Sequence, residues 1–177
     1  VRALAELGRW DEALDTADDS ADERADPFTW LPVNLARADV YLKRGDAAAA
    51  ARLLAACAEV LTGQDDVQHG TELSALQALL ALQEDRWSDA REAVREGLRV
   101  ALSADNQHRA ARVVWVGTRV EADAGDDPDR AEEILSAGEA HLAALEADGA
   151  LLLPRTRRYL ALARAECSRL VAPAPDA

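Results

Sequence analysis

The stretch Glu84-Asp85-Arg86-Trp87-Ser88-Asp89-Ala90-Arg91 decides the fold, because its pattern returns elsewhere along the chain. Leu7-Gly8-Arg9-Trp10-Asp11-Glu12-Ala13-Leu14 repeats it closely, and Lys43-Arg44-Gly45-Asp46-Ala47-Ala48-Ala49-Ala50 repeats it without the tryptophan. Gly125-Asp126-Asp127-Pro128-Asp129-Arg130-Ala131-Glu132 is a more degenerate copy. In each, a turn residue ends one helix, an Asp or Ser stands ready to cap the next, and an alanine follows that lets paired helices approach closely. Pro128 behind Asp127 reads as a first-turn proline after a capping carboxylate. With Ala13, Ala50, Ala90 and Ala131 taken as equivalent, the steps are 37, 40 and 41 residues, a spacing that suits stacked helix pairs.

Working outward from these turns, nine helices are expected, over about 1–7, 10–24, 31–44, 46–62, 70–84, 87–103, 107–124, 128–147 and 154–171. The sixth is the most clearly amphipathic, with Trp87, Ala90, Val94, Gly97, Leu98 and Ala101 on one stripe. Thr62-Gly63-Gln64-Asp65-Asp66 and Asp148-Gly149-Ala150 carry turn chemistry. Trp30, between Pro27 and Pro32, is read as covering a turn between repeats.

Composition agrees. Alanine, the strongest helix former, supplies about 40 of the 177 residues, aromatics only 4%, and no run of β-branched residues reads as a strand. The fold class is all-α: antiparallel helix pairs in a right-handed solenoid with a concave side. One domain spans 1–171, and 172–177 (Ala-Pro-Ala-Pro-Asp-Ala) reads as a linker-like tail. The first and last helices lack partners, so the segment is expected to belong to a longer array. Their uncovered apolar surface predicts self-association as a homodimer.

The formal net charge of -13 repels a phosphate backbone and argues against direct nucleic-acid or anionic-membrane binding. No apolar stretch has the length of a membrane span. Cys57 and Cys167 form no CxxC and sit among apolar residues at helical spacing, so they read as buried small hydrophobes in a reducing cytoplasm. His69, His108 and His141 fall on separate helices, outside any HExxH, and no metal or cofactor site is expected. The acidic run Asp15, Asp18, Asp19, Asp22, Glu23 lacks the glycine of a calcium loop and reads as a solvated helix face. No nucleophile, phosphate-loop or dinucleotide motif appears, which points away from an enzyme.

One pattern stands out. His108, Arg112, Trp115 and Arg119 share a stripe on the seventh helix, opposite Ala110, Val113, Gly117 and Val120. The ninth helix offers Arg155, Arg158, Tyr159 and Leu162, and the third Asn34, Arg37 and Tyr41. All three are first helices of their pairs. Two readings stand side by side. In one, Arg37, Tyr41, His108, Arg112, Trp115, Arg119, Arg155, Arg158 and Tyr159 line a groove for a carboxylate-bearing peptide, a protein segment or a small anionic effector. In the other, Trp115 packs under a neighbouring repeat and the arginines pair with the chain's own carboxylates.

Ala3-Leu4-Ala5-Glu6-Leu7-Gly8-Arg9-Trp10-Asp11-Glu12-Ala13, with Leu35-Ala36-Arg37-Ala38 running into Arg44-Gly45-Asp46, resembles tetratricopeptide repeats. With Arg91-Glu92-Ala93-Val94-Arg95-Glu96-Gly97-Leu98 and the stretch from Tyr159 to Leu170, the chain looks like the helical-repeat region of large actinobacterial LuxR-type transcriptional regulators, of which the maltose regulator is the best-known relative. The resemblance implies an ATPase module before the repeats, a DNA-binding helix-turn-helix after them, and repeats that serve effector sensing and self-association. Neither a GxxxxGK[ST] loop nor a helix-turn-helix lies within these residues, so neither activity carries over to them. A free-standing adaptor that binds a peptide in its groove is the competing reading, and an enzyme with a site between helices the weakest.

Overall fold

The helix starts follow from capping chemistry. In the computed structural model, which describes residues 1–20, 27–63 and 66–171, Asp46 accepts from the Ala49 amide at 2.9 Å and Asp127 from the Arg130 amide at 3.0 Å. Asp66 and Asn106 do the same for His69 and Arg109. Each satisfies an amide that has no partner inside its own helix. Pro128 occupies the first turn behind Asp127, where its missing N–H costs nothing. At Trp87 the pattern differs: the cap position is Arg86, which makes no side-chain cap bond, while Ser88 and Asp89 fall inside the first turn.

The described residues form nine helices and no strand: α1 Arg2–Glu6, α2 Trp10–Ser20, α3 Pro27–Arg44, α4 Ala47–Leu61, α5 Val67–Gln83, α6 Trp87–Ala101, α7 Gln107–Ala124, α8 Pro128–Ala147 and α9 Pro154–Val171. None is long and apolar enough to cross a membrane. Two expected boundaries move. α5 starts three residues early because Asp66 caps it, and α3 starts at Pro27 rather than 31. Trp30 therefore lies within a helix, half-buried against a core cluster, and does not cover a turn. The expected end of the second helix at 24, most of the acidic run's far end, and the tail 172–177 lie outside the described residues. Asp15 and Asp18 are exposed.

The turn before each even-numbered helix needs a left-handed residue. Gly8, Gly45 and Gly125 supply it at φ +75°, +77° and +72°, and Asp85 does so at φ 54°. Glycine meets this demand without a Cβ clash, and Asp is among the residues that tolerate it. Five or six residues later come Ala13, Ala50, Ala90 and Ala131. Each is the fourth residue of its helix, and each is 0% exposed.

Each helix packs on the next one in the chain. In addition α1 packs on α3, α3 on α5, α5 on α7 and α7 on α9, whereas no such contact joins one even-numbered helix to another among the described residues. The core is correspondingly strung out. Ala5, Ala13 and Val40 form one cluster, Leu31, Leu35, Leu54 and Leu76 anchor a second, and Val94, Val113, Val116 and Ile134 a third. Leu79 touches both of the larger clusters. Burying each such Leu or Val stabilises by about 1.5–3 kcal/mol. The α6 stripe is inside as its spacing indicates, with Ala90, Val94, Gly97 and Ala101 buried and Trp87 and Leu98 half-buried. At Gly138 a Cβ would come within 2.4 Å of Val114, so α8 approaches α7 more closely than any larger residue permits.

Candidate functional site: a basic cavity among the odd-numbered helices

The odd-numbered helices meet around a cavity of about 360 Å³. α1 contributes Arg2 and Glu6, α3 Asp39 and Lys43, α5 Glu72, α7 His108, Arg112, Trp115 and Arg119, and α9 Arg155, Arg158 and Tyr159. Six of these side chains are cationic (Arg2, Lys43, Arg112, Arg119, Arg155, Arg158) and three are carboxylates, a surplus of three positive charges. The whole chain carries -13, so the cavity wall is a reversal of the surrounding field.

At its floor, Arg112 ties α7 to α5 and α3. One Nη donates to Glu72 Oε1, and the other reaches Asp39 Oδ1 at 2.9 Å. Lys43 holds the second oxygen of Asp39 at 2.7 Å, and Arg2 approaches Glu72 Oε1 at 3.3 Å. Burial alone would raise the Glu72 carboxyl. The guanidiniums of Arg112, Arg2 and Arg109 outweigh burial and hold it down at about 2. Burial likewise opposes the Arg112 charge, and Glu72 and Asp39 outweigh it, so its pKa lies above the ordinary value. The network is incomplete on one side: Glu72 Oε2 and Arg112 Nε are buried without a hydrogen-bond partner. Such groups are costly unless something completes them.

An aromatic wall adjoins this floor. Tyr159 stacks on Trp115 with ring centres 5.5 Å apart and meets the His108 ring at 5.4 Å. The Arg158 guanidinium lies over the Tyr159 ring at 5.3 Å. Burial, reinforced by Arg112, Arg2 and Arg109 against the pull of Glu72, lowers the His108 pKa. Burial also lowers that of Arg155, aided by Arg2 and Arg158 and opposed by Tyr159.

His108, Arg112, Trp115, Arg119, Arg155, Arg158 and Tyr159 thus come together, with Leu162 beside them. Their surroundings carry features of both expected readings. α7 is buried nearly all round and Arg112 is only 6% exposed, while Arg119, Arg155 and Arg158 stand at the open side of the cavity. Several arginines also have partners within the chain: Arg119 pairs with Asp123 at 3.5 Å and Arg155 with Glu6. The α3 stripe lies elsewhere. Arg37 pairs with Asp18 and Asn34, and Tyr41 packs on the α3–α4–α5 cluster. Asn34 is buried, donating to the Trp30 carbonyl. The face α3 turns to the cavity carries Ala36, Asp39 and Lys43 instead.

Sequence reasoning missed Arg2, Glu6, Asp39, Lys43 and Glu72. A signal existed for three of them: Asp39 and Lys43 are an i, i+4 pair, and Glu72 is the one acidic residue in a helix with no Lys or Arg. Among the described residues no cluster of three His, Cys, Asp or Glu is placed to hold a metal. Both thiols are buried away from the cavity, and burial pushes Cys57 up to about 12.

The fold and the site together define an all-helical chain, over the described residues, with a cation-lined cavity. No family model, curated protein or solved structure matches it.

Proposed function

We propose that this chain is a non-catalytic, effector-sensing helical-repeat module whose cavity takes a small organic anion. The observation that carries the reading is the surplus of three positive charges around a cavity of about 360 Å³ in a chain of net charge -13. Clefts with one sign of charge concentrate oppositely charged ligands, and arginine forks recognise carboxylates with geometric selectivity. The volume is in the range of small-molecule sites and suits a metabolite better than an extended peptide.

The array reading is a right-handed, tetratricopeptide-like solenoid. It is supported by the four equivalent buried alanines and by the serial packing of the odd-numbered helices. In such an array the cavity lies on the concave side, and every odd helix reports on its occupancy. A transcriptional regulator of the LuxR type, which the repeats resemble, is the setting that makes sense of a sensing module without chemistry of its own.

The test is a thermal-shift survey of organic acids, neutral sugars and short peptides on the natural chain and on Arg158→Glu. Arg158 is exposed, so its replacement leaves the fold intact. Organic acids are expected to raise the Tm of the natural chain and not that of the variant. Stabilisation by sugars or peptides alone, or equal stabilisation of both proteins, contradicts the reading.

A further inference from the structure

The element lining the cavity that is held least firmly is α1. It has five residues, its cap position Val1 makes no side-chain cap bond, and Ala5 is its one buried residue. So short a helix has no stability of its own. Its backbone packs only on α2 and α3, yet its side chains cross the cavity: Glu6 pairs with Arg155 of α9, and Arg2 with Glu72 of α5. The Glu6–Arg155 pair is partly solvated on both sides, so it contributes little to stability and is readily exchanged.

The α9 end of the cavity is also short of negative charge. Arg155 turns one terminal nitrogen to Glu6 while its Nε is buried without a partner. Arg158, one turn on, has only the Tyr159 ring beneath it and no carboxylate among the described residues. Arg2 and Arg158 both repel the Arg155 charge. Of the guanidiniums at this end, Arg155 alone is paired with the exposed carboxylate of Glu6, while Arg2 turns to Glu72.

We propose that Glu6 is a built-in stand-in for the ligand: a small dicarboxylic acid takes Arg155 from it, sets its second carboxylate on Arg158, and thereby frees α1 from α9. This rests on the cavity being an anion site and names both the ligand class and the element that responds. A carboxylate is indicated because the Glu6 carboxylate already pairs with one arm of the Arg155 guanidinium, and two are indicated because a second guanidinium lies one helical turn away. Glu6 acts as a competitor, so its removal strengthens binding. α1 has a convenient reporter, since the Trp10 indole N–H donates to the Ala5 carbonyl at 3.2 Å.

The experiment titrates glutarate, with inorganic phosphate and chloride as comparison anions, into the natural chain, Glu6→Gln and Arg155→Gln. Calorimetry gives the affinity and the Trp10 indole resonance gives the state of α1. Glu6 is exposed, and Glu6→Asp serves as a second variant that keeps the charge but shortens its reach. The expected result is glutarate binding about three- to tenfold tighter in Glu6→Gln and lost in Arg155→Gln. The Trp10 resonance should move on adding glutarate to the natural chain, and lie near the moved position in Glu6→Gln without any glutarate. Glu6→Asp should fall between. Equal or weaker binding in Glu6→Gln, or a Trp10 resonance indifferent to glutarate, overturns the stand-in while leaving the anion site intact. No glutarate binding by either protein overturns the site and the stand-in together. Phosphate or chloride acting as well as glutarate overturns the dicarboxylate assignment.

Discussion

Glu72 and Glu121 are the same residue in nearly the same burial, 2% and 1% exposed, on two neighbouring odd-numbered helices. Their surroundings separate them. Arg91 grips both oxygens of Glu121, at 3.0 and 2.7 Å to Oε2 and 3.2 Å to Oε1, and Arg130 stands 3.0 Å from Oε1. That carboxylate welds α6, α7 and α8 and has nothing left to offer. Glu72, which lines the cavity, instead crowds Arg112 and Arg2 onto one oxygen and leaves the other buried and unpartnered. A buried ion pair by itself is weak evidence for either stability or function. What distinguishes a structural weld from a binding floor is the unused half.

The largest effect should come from removing the cation that serves the cavity floor. Arg112→Leu leaves Glu72 and Asp39 without their shared partner and is expected to cost about 3–5 kcal/mol in urea unfolding. Glu72 gives a cleaner handle through pH. Its folded-state pKa of about 2 lies below the ordinary 4.5, so the folded chain binds fewer protons than the unfolded chain across that interval. The stability it contributes is complete above about 4.5 and is lost as pH falls toward 2. The loss is roughly 3 kcal/mol, and Glu72→Gln should abolish that part of the acid dependence.

Glu121→Gln sharpens the contrast. It is expected to cost about 1–3 kcal/mol and to leave organic-acid binding unchanged, whereas Glu72→Gln changes both. Equal effects of the two on binding would erase the distinction. Gly138→Ala presses a methyl into Val114 on the far side of α7, so it should cost about 1–3 kcal/mol with binding retained, separating packing from charge. Least of all, Arg119→Ala removes a solvated pair with Asp123 and should change stability by less than about 1 kcal/mol.

The helices were legible in the sequence because their signals are local. A left-handed turn residue, a capping carboxylate and a small residue at a fixed offset leave their mark within eight positions, as at Gly45, Asp46 and Ala50. The arginine–aromatic stripe on α7 and α9 was legible for the same reason, since residues three and four apart share a face. What that face meets was not. Glu72 and Asp39 lie 40 and 73 positions from Arg112, and Glu6 is farther still from Arg155. Pairings over such separations are set by how α1, α3, α5, α7 and α9 stack, which no short window records. The α3 stripe failed for a related reason: Arg37 and Tyr41 share a face, but the rotation of α3 against α5 turns Asp39 and Lys43 inward instead.

The most direct test of the charge-reversed cavity as a ligand site is a crystal structure of the chain grown with glutarate. The account predicts the acid bridging Arg155 and Arg158, with the Glu6 carboxylate turned away and the Arg112–Glu72 pair in place. Glu6 still seated on Arg155, with glutarate found elsewhere on the molecule, would contradict it.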